Sequence, residues 1–285
     1  MFDWEDLRHF AALAQEGSLS AAARALQVDH ATVARRIVSL EKALQVKLVD
    51  RRPKSYALTP EGERIATLAT QMQEPAFAID RSARSTRPAV AGIVTISAPP
   101  ALSSTRIAPR LTNLKKEYPG IHIRLLGEKR SASLSRSEAD IAVRLSRPTE
   151  GRLVARRIGT MTFGFYASAE YVSKHTETNF EFIAYDEAMD KLPQQQWLKR
   201  FAGTRPVVLR ASELEAQVAA ASAGLGVAIL PNFIAEGNGR LSRIDVPTAP
   251  MKRDIWLVAH RDVRRSALAR AVMQFLIECF ASAKV

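Results

Sequence analysis

Residues 17–41, GSLSAAARALQVDHATVARRIVSLE, hold a group of side chains suited to reading nucleic acid. The second half of this stretch has apolar residues at helical spacing, namely Val33, Ile37 and Leu40. On its other side lie four polar or basic residues, namely His30, Thr32, Arg35 and Arg36. An arginine can bind O6 and N7 of guanine together, and histidine or threonine can bond base edges or phosphates. The pattern predicts a recognition helix that lies in a major groove; a helical hairpin with a solvated basic face is the alternative.

The helix-forming signals around this stretch predict two short helices joined by a tight turn. Ser18 or Ser20 is suited to cap the first helix, and Asp29 to cap the second. The turn between them is expected at Gln27-Val28. An earlier amphipathic segment, residues 4–16, predicts a helix that packs beneath the pair, with Trp4 and Phe10 in its core and Gly17 at its end.

A basic turn follows the recognition helix. Two short apolar segments, within 44–49 and 55–59, predict strands that flank this turn. Its cations are Arg51, Arg52 and Lys54. A turn of this kind beside a helix-turn-helix forms a wing that contacts phosphates or a minor groove. A solvated run of charge is the alternative interpretation.

A long helix is predicted from Thr59-Pro60-Glu61 to about Arg87, because threonine caps helices and proline is favoured at their first position. One narrow apolar face recurs at coiled-coil spacing: Ile65, Leu68, Met72 and Ile79, with Phe77 beside it. The face indicates dimerisation through this helix, and packing on its own domain is the alternative. Pro75 should kink or interrupt the helix. Residues 88–92 are typical of a hinge.

Beyond the hinge, short apolar runs alternate with helical segments, which predicts a parallel sheet. The first three strands are expected at 93–97, 121–126 and 141–145, with a helix over 103–118 between the first two. Further strands are expected at 153–158, 163–167, 182–185, 207–209, 227–230, 241–246 and 255–259, and helices at 213–223 and 266–281.

The composition excludes several classes of protein. The 285 residues are 47% hydrophobic and 25% charged, which is typical of globular domains. No run approaches the ~20 apolar residues of a membrane helix, and the N-terminus lacks a signal peptide. A single cysteine, Cys279, fits a reducing cytoplasm; it is expected in packing, with a redox-sensing thiol as the alternative. The five histidines have no metal-ligand spacing, and no catalytic or cofactor motif is present.

The net charge of +12 indicates a polyanionic partner. Residues 29–54, the predicted recognition helix and the turn after it, hold seven basic and three acidic side chains and are therefore basic. Residues 91–160 hold thirteen basic and five acidic side chains, a net charge of +8. Most of these charges are expected to form a solvated surface that assists the approach to DNA. For Arg144 and Arg147 the hypothesis is pairing with the carboxylate of an anionic ligand.

The chain closely resembles LysR-type transcriptional regulators. The N-terminal motifs are Asp6-Leu7-Arg8-His9-Phe10, Gly17-Ser18-Leu19-Ser20-Ala21-Ala22-Ala23, Val33-Ala34-Arg35-Arg36-Ile37, Leu40-Glu41, Asp50-Arg51 and Leu58-Thr59-Pro60-Glu61-Gly62. The later motifs are Ala98-Pro99-Pro100-Ala101-Leu102, Tyr118-Pro119-Gly120, Ala139-Asp140-Ile141-Ala142-Val143-Arg144 and Gly224-Leu225-Gly226-Val227-Ala228-Ile229-Leu230-Pro231. The family usually has Ser-Gln-Pro where this chain has Asp29-His30-Ala31, so the operator sequence does not carry over.

The resemblance implies a fold of α plus α/β class. Residues 1–59 would form a winged helix-turn-helix DNA-binding domain and 60–91 a linker helix and hinge. Residues 92–285 would form an effector domain similar to periplasmic binding proteins. Its first lobe would comprise 92–162 and 262–285 and its second 163–261, with crossings near 162–163 and 260–261. The resemblance also implies a tetramer as the full assembly. The dimer through the linker helix is expected from the apolar face of that helix, and Pro75 leaves the geometry of this dimer open.

Two sets of candidate site residues follow. For double-stranded DNA they are Ser18, Ser20, His30, Ala31, Thr32, Arg35, Arg36, Arg51, Arg52 and Lys54. For a small-molecule effector they are Pro100, Ala101, Leu102, Ser103, Ser104, Arg144, Ser146, Arg147, Ser212 and Glu213. The first effector loop joins a strand to a helix start, where free N–H groups favour an anion.

The predicted function is that of a cytoplasmic, sequence-specific DNA-binding regulator whose DNA binding or bending is modulated by a small molecule. It needs no metal or cofactor and no membrane. The alternative is an enzyme or a transport-type binding protein with a fused N-terminal domain. A secreted binder would need a signal sequence, and an enzyme would need a catalytic constellation.

Overall fold

The computed structural model describes residues 1–52, 55–85, 90–127, 139–148, 153–247 and 249–281. The chain divides into two compact units, Met1–Arg84 and Ser85–Val285. The first unit is a winged helix-turn-helix followed by a long helix, as predicted. Its elements are α1 (Trp4–Glu16), α2 (Leu19–Leu26), α3 (His30–Leu44), β1 (Val49–Arg52), β2 (Ser55–Leu58) and α4 (Pro60–Ser85).

The helix ends in this unit follow the predicted capping chemistry. Gly17 ends α1 with a left-handed φ of 73°. The Ser18 hydroxyl accepts from the Ala21 N–H at 3.2 Å, so Ser18 rather than Ser20 caps α2. Gln27 makes the turn in a left-handed conformation with φ of 57°. Asp29 then caps α3 by accepting from the Thr32 N–H at 2.7 Å.

The core of the first unit lies between α1 and the inward face of α3. Phe10 is fully buried beside Val33, Ile37 and Leu40, as predicted. The prediction that Trp4 belongs to this core is wrong, since Trp4 is 37% exposed. Trp4 is the first residue of α1, and its side chain stays at the surface while Asp6 and Leu7 in the same turn are buried.

Helix α4 packs onto the wing through its first turn. A Cβ added at Gly62 would lie 2.1 Å from the backbone oxygen of Leu48, a distance that allows only glycine. Pro75 lies inside α4, and the helix continues to Ser85, so Pro75 does not interrupt the helix, and the alternative expectation of a kink stays a prediction. A helix of 26 residues tolerates one missing hydrogen bond because the turns on either side remain bonded. The predicted end near Arg87 lies outside the described residues.

The second unit is a two-lobed α/β structure. Its strands are β3 (Gly92–Ala98), β4 (Ile121–Gly127), β5 (Ile141–Arg144), β6 (Leu153–Ser168), β7 (Phe182–Tyr185), β8 (Val207–Ala211), β9 (Val227–Pro231), β10 (Leu241–Ile244) and β11 (Met251–His260). Its helices are α5 (Pro100–Leu102), α6 (Leu111–Glu117), α7 (Ala169–Lys174), α8 (Pro193–Ala202), α9 (Leu214–Ser222), α10 (Asn232–Ala235) and α11 (Ala267–Ala281). Turns of π and 3-10 type, Ser103–Ile107 and Ala108–Arg110, connect α5 to α6.

In the described part of the chain, nine strands join into one sheet in the order β4-β3-β5-β11-β6-β9-β7-β8, with β10 paired to β6. The pairs β3–β4, β3–β5, β7–β8 and β7–β9 are parallel, as βαβ connections require. The long strands β6 and β11 pair antiparallel with each other and pass from one lobe to the other. The first lobe contains β3, β4 and β5, and the second contains β7, β8 and β9.

Three sequence predictions for this unit need correction. The segments 153–158 and 163–167 belong to one strand of 16 residues, because β6 pairs with β11 up to Phe163 and then with β9 and β10. The chain returns to the first lobe by Trp256, which already pairs with Arg144 of β5, and not near 260–261. Helix α8 was not expected, since its polar sequence, PQQQWLKRFA, hides the buried positions Trp197 and Leu198.

Candidate DNA-reading surface and effector cleft

The outward face of α3 carries the predicted DNA-reading residues. His30, Ala31 and Arg35 are exposed, while Val33 and Ile37 on the opposite face are buried. The Thr32 side chain is half-buried, and its hydroxyl donates to the Asp29 carboxylate at 2.8 Å. The two bonds from Thr32 lower the pKa of Asp29, with the backbone N–H making the larger contribution. Helix α3 therefore begins at a fixed point, and its N-terminal turn is presented to solvent.

Arg36 has a different environment from Arg35. Its Nη1 lies 3.0 Å from Oδ1 of Asp6 and 3.3 Å from Oδ2 of Asp3, both at the N-terminal end of the chain. The bond to Asp6, whose side chain is buried, raises the pKa of Arg36. The contacts that the structure gives Arg36 therefore tie α3 to α1, while its predicted contact with DNA stays a prediction.

The remaining DNA candidates lie at the start of α2 and in the wing. Ser18 and Ser20 are exposed at the N-terminal end of α2, where the helix presents unbonded N–H groups. Arg51 and Arg52 are the last residues of β1, in antiparallel register with Tyr56 and Ser55. Lys54 lies outside the described residues.

A buried carboxylate holds the wing against the recognition helix. Oε1 of Glu41, near the end of α3, accepts from the backbone N–H groups of Leu48 at 2.9 Å and Val49 at 3.1 Å. Both of those residues are buried, and Val49 begins β1. One side chain therefore fixes where the wing leaves the end of α3. The sequence analysis did not predict this role of Glu41. The one available signal was that Glu41 falls on the buried face of the helix, next to Leu40.

The second unit has a cavity of about 340 Å³ between its lobes. This volume lies within the range of small-molecule sites, which are about 300–1,000 Å³. The walls from the first lobe are Pro99, Pro100, Ala101, Leu102, Arg144, Leu145 and Ser146. Those from the second lobe and the crossing strands are Met161, Phe163, Tyr185, Met189, Leu192, Gln194, Ser212, Leu214, Glu215, Pro231 and Arg253.

The cavity brings together six of the ten predicted effector residues: Pro100, Ala101, Leu102, Arg144, Ser146 and Ser212. The other four lie outside its wall. Ser103 is buried and its hydroxyl donates to the Ala98 carbonyl at 3.3 Å, whereas Ser104 is exposed and donates to the Pro100 carbonyl. The Arg147 guanidinium lies over the Trp256 ring, 5.6 Å from its centroid. Glu213 is exposed and precedes α9.

Arg144 is fixed to the first lobe. Its Nη1 donates to the Ser97 carbonyl and the Ser97 hydroxyl, each at 3.1 Å. Ser97 is fully buried in β3, so these bonds position the guanidinium at the ends of two neighbouring parallel strands. Ligands of open α/β sheets bind at such an edge.

Sequence reasoning missed the second cation of the cavity, Arg253. It lies in β11, opposite Met161 of β6, where the two crossing strands pair. Burial lowers the pKa of its guanidinium. Burial likewise raises the pKa of the Tyr185 hydroxyl, which faces the same space. The sequence around Arg253, MKRDI, has the charge content of an exposed edge strand. Only the pairing of β11 with β6 shows that Arg253 lines the cavity.

The described residues contain neither three grouped side chains able to hold a metal ion nor a helix of the length and hydropathy that crossing a membrane requires. Cys279 is buried in α11, and this burial raises the pKa of its thiol to about 11. The thiolate is the reactive form, so at neutral pH this cysteine is a packing residue.

Comparison with known proteins agrees with the geometry. Residues 88–281 match the family model of the LysR substrate binding domain, and residues 4–63 match that of the bacterial regulatory helix-turn-helix protein, lysR family. The Mau operon transcriptional activator of Paracoccus denitrificans is 29% identical over 98% of this chain and 97% of its own. The AhcY transcriptional activator HvrB of Rhodobacter capsulatus is 40% identical over 48% of this chain and 47% of its own.

Solved structures share the fold. The virulence activator AphB of Vibrio cholerae superposes with a TM-score of 0.65 at 23% identity, covering 97% of this chain and 99% of that one. ArgP of Mycobacterium tuberculosis superposes with a TM-score of 0.60 at 23% identity, covering 99% and 98%. With both family domains matched in order, the chain belongs to the LysR family of transcriptional regulators, and it joins a DNA-binding helix-turn-helix to an effector-binding domain.

Proposed function

We propose that the exposed N-terminal face of α3 reads the operator, with His30, Ala31, Thr32 and Arg35 at the base edges. The observation that carries this proposal is the division of α3 into two faces, with Val33, Ile37 and Leu40 buried and Arg35 exposed on the other side. A helix so divided docks with its free face in a major groove. His30 and Ala31 stand where the family usually has other residues, so we expect this protein to prefer a base sequence different from that of its relatives.

Phosphate contacts in this proposal come from two further places. Ser18 and Ser20 lie at the N-terminal end of α2, whose unbonded N–H groups and dipole favour a phosphate. Arg51, Arg52 and Lys54 belong to the wing and would follow the backbone or enter a minor groove. Phosphate contacts hold the protein in register without reading sequence, so these residues would set affinity and salt dependence.

The experiment is selection of bound duplexes from random DNA by the purified full chain, without added ligand. We expect one enriched motif with two related halves, since paired readers bind half-sites about 34–36 Å apart. A control protein with Arg35→Ala should lose the enrichment but still bind DNA at low salt. Recovery of unrelated sequences by the wild-type protein, whatever the salt concentration, would overturn the proposal.

The interlobe cavity is proposed as the effector site. Both lobes contribute walls, so a ligand that fills the cavity prefers one separation of the lobes and shifts their equilibrium. Arg144 is retained from the predicted set because it is anchored by Ser97 and lines the wall. Four residues of the predicted set lie outside the wall, and we propose that they do not touch the ligand directly: Ser103, Ser104, Arg147 and Glu213.

Self-association is proposed to use α4. Leu68, Met72 and Ile79 are 58%, 46% and 72% exposed, which is unusual for apolar side chains of one helix face. Ile65 and Ala69 of the same helix pack instead into the core of the first unit. The exposed positions are spaced as a coiled-coil seam, and a second copy of the same helix is the partner that matches it. We further propose a tetramer as the complete assembly.

Regulation rather than catalysis is the proposed activity, since two regulator domains account for residues 4–63 and 88–281. We retain as part of this proposal the division into residues 1–59, 60–91 and 92–285. The partner is chromosomal DNA, so the cytoplasm of a bacterium is the proposed location.

A further inference from the structure

Arg253 joins the two lobes across the cavity. Its Nη2 donates to the backbone carbonyl of Leu145, which follows β5 in the first lobe, at 3.1 Å. Its Nη1 donates to the side-chain oxygen of Gln194, in the first turn of α8 in the second lobe, at 3.2 Å. Arg253 itself belongs to β11, one of the two crossing strands. One guanidinium therefore contacts the first lobe, the second lobe and the strand between them.

The charge of this guanidinium is not neutralised by a neighbour. Both of its acceptors are uncharged oxygens, and no carboxylate of a described residue forms an ion pair with it. A guanidinium has five N–H donors, and these two bonds leave others for a further acceptor. A half-buried cation without a counter-ion is costly, so an anion that enters the cavity gains more from it than from a solvated arginine.

Other groups around Arg253 also favour negative charge. Gln194, which is 6% exposed and lines the cavity, accepts a hydrogen bond from Arg253, and its side chain lowers the pKa of the Tyr185 hydroxyl. The N-terminal turns of α8 and α9 line the same space, and positive helix ends favour anions. The other charged wall residues are the cation Arg144 and the exposed carboxylate Glu215.

The rest of the wall is apolar. It includes Pro100, Leu145, Met161, Phe163, Leu192 and Leu214. A ligand that is anionic throughout, such as an inorganic ion, would leave these surfaces unfilled. A ligand with a hydrocarbon body and one anionic end would match both parts of the cavity.

We propose that the effector is a small organic carboxylate and that Arg253 binds its carboxylate group. This inference rests on the proposed effector role of the cavity and names the chemical class of the ligand. Arg253 donates hydrogen bonds to both Leu145 and Gln194. A carboxylate that bonds to the same guanidinium changes the strength of these two bonds, either by competing with them or by reinforcing them. Arg253 thereby couples ligand charge to the separation of the lobes.

The test is calorimetric titration of the full chain with matched pairs of probes: hexanoate with hexanamide, and phenylacetate with phenylacetamide. Each amide has the shape of its carboxylate without the charge. We expect each bound carboxylate to bind at least tenfold more tightly than its amide. Phenylalanine serves as a third carboxylate, whose ammonium group probes Glu215.

Variants isolate the contribution of Arg253. Arg253→Met should weaken carboxylate binding about ten- to a hundred-fold, the range of a charge-assisted hydrogen bond, and leave amide binding unchanged. Arg253→Lys keeps the charge but cannot span both acceptors, and we expect an intermediate loss. Lys252→Met removes a charge from the neighbouring, exposed position of β11 and should change nothing.

Three outcomes would overturn the inference: amides bind as well as carboxylates, no carboxylate in the set binds, or Arg253→Met binds carboxylates like the wild type. If Arg253→Met fails to fold, two measurements still test the inference: the affinity of Arg253→Lys for carboxylates, and the comparison of carboxylates with amides on the wild-type protein. The titration contains no DNA, so its result stands apart from the selection of duplexes. A protein that binds carboxylates but no DNA would overturn the proposed reading surface alone.

Discussion

The Nη1 atom of Arg36 lies 3.0 Å from the buried carboxylate of Asp6, while the side chain of its neighbour Arg35 is exposed. Two identical residue types, adjacent in one helix, therefore have different environments. Arg36 joins α3 to α1, and Arg35 faces solvent.

Replacement of Arg35 and Arg36 in turn should separate DNA reading from stability. Arg35→Ala should reduce specific binding by about 1–3 kcal/mol, the range of a bidentate base contact, and leave the midpoint of thermal unfolding unchanged. Arg36→Ala should lower that midpoint, since Asp6 would stay buried without its cation. The measurements are fluorescence titration of a selected duplex and thermal unfolding. Equal effects of both substitutions in both measurements would contradict this assignment.

Glu41 should control the stability of the wing. Glu41→Ala leaves the backbone N–H groups of Leu48 and Val49 without this acceptor, and we expect a loss of about 3 kcal/mol in the free energy of unfolding. Glu41→Gln keeps an acceptor oxygen at the same place and should lose less. Urea unfolding measures both, with the exposed neighbour Lys42→Ala as control. A Glu41→Ala protein as stable as Lys42→Ala would show that the bonds are dispensable.

Asp29 should make the stability of the reading helix sensitive to acid. The Thr32 N–H and hydroxyl lower its pKa below the ordinary 3.8, so folding favours the ionised carboxylate. Its contribution is therefore complete above about pH 4 and is lost as the pH falls through the lowered value. Asp29→Asn retains a capping oxygen but does not titrate. We expect the advantage of the wild type over Asp29→Asn in thermal unfolding to shrink below pH 4, and a constant difference would show that ionisation of Asp29 does not contribute to stability.

The exposed face of α4 should determine the oligomeric state. Replacing Leu68 and Met72 together by glutamate places like charges along the seam, so the dimer contact through α4 should be lost. Light scattering after gel filtration should then give a smaller mass for the variant than for the wild type. Gln71→Glu adds a charge at the neighbouring exposed position and should leave the mass unchanged. An unchanged mass in the double variant would assign self-association to another surface.

Local signals predicted the first unit well. Capping residues and the spacing of Val33, Ile37 and Leu40 act within a few turns, so the sequence contains most of the information that places α3. Arg36 differs from Arg35 in its ion pair with Asp6, which lies thirty positions away. The spacing of residues within one helix cannot predict such a contact. Asp3 and Asp6, at the N-terminal end of α1, were the available hint.

The cavity was predicted only in part, because it depends on pairing between distant strands. The loop after β3 follows from local βα logic, and Pro100, Ala101 and Leu102 indeed line the wall. Arg253 reaches the same space only because β11 pairs with β6 and carries the chain back between the lobes. A charged strand gives no local sign of such a position. The local pattern likewise gives no sign that the Ser103 hydroxyl turns inward to the Ala98 carbonyl.

Reading of base edges by α3 is tested most directly by the ratio of two dissociation constants at physiological ionic strength, one for a scrambled duplex and one for the duplex enriched by selection. We expect a ratio of about a thousand or more for the wild-type protein, as for other specific DNA-binding proteins. A ratio near one at every salt concentration would contradict the claim that α3 reads sequence.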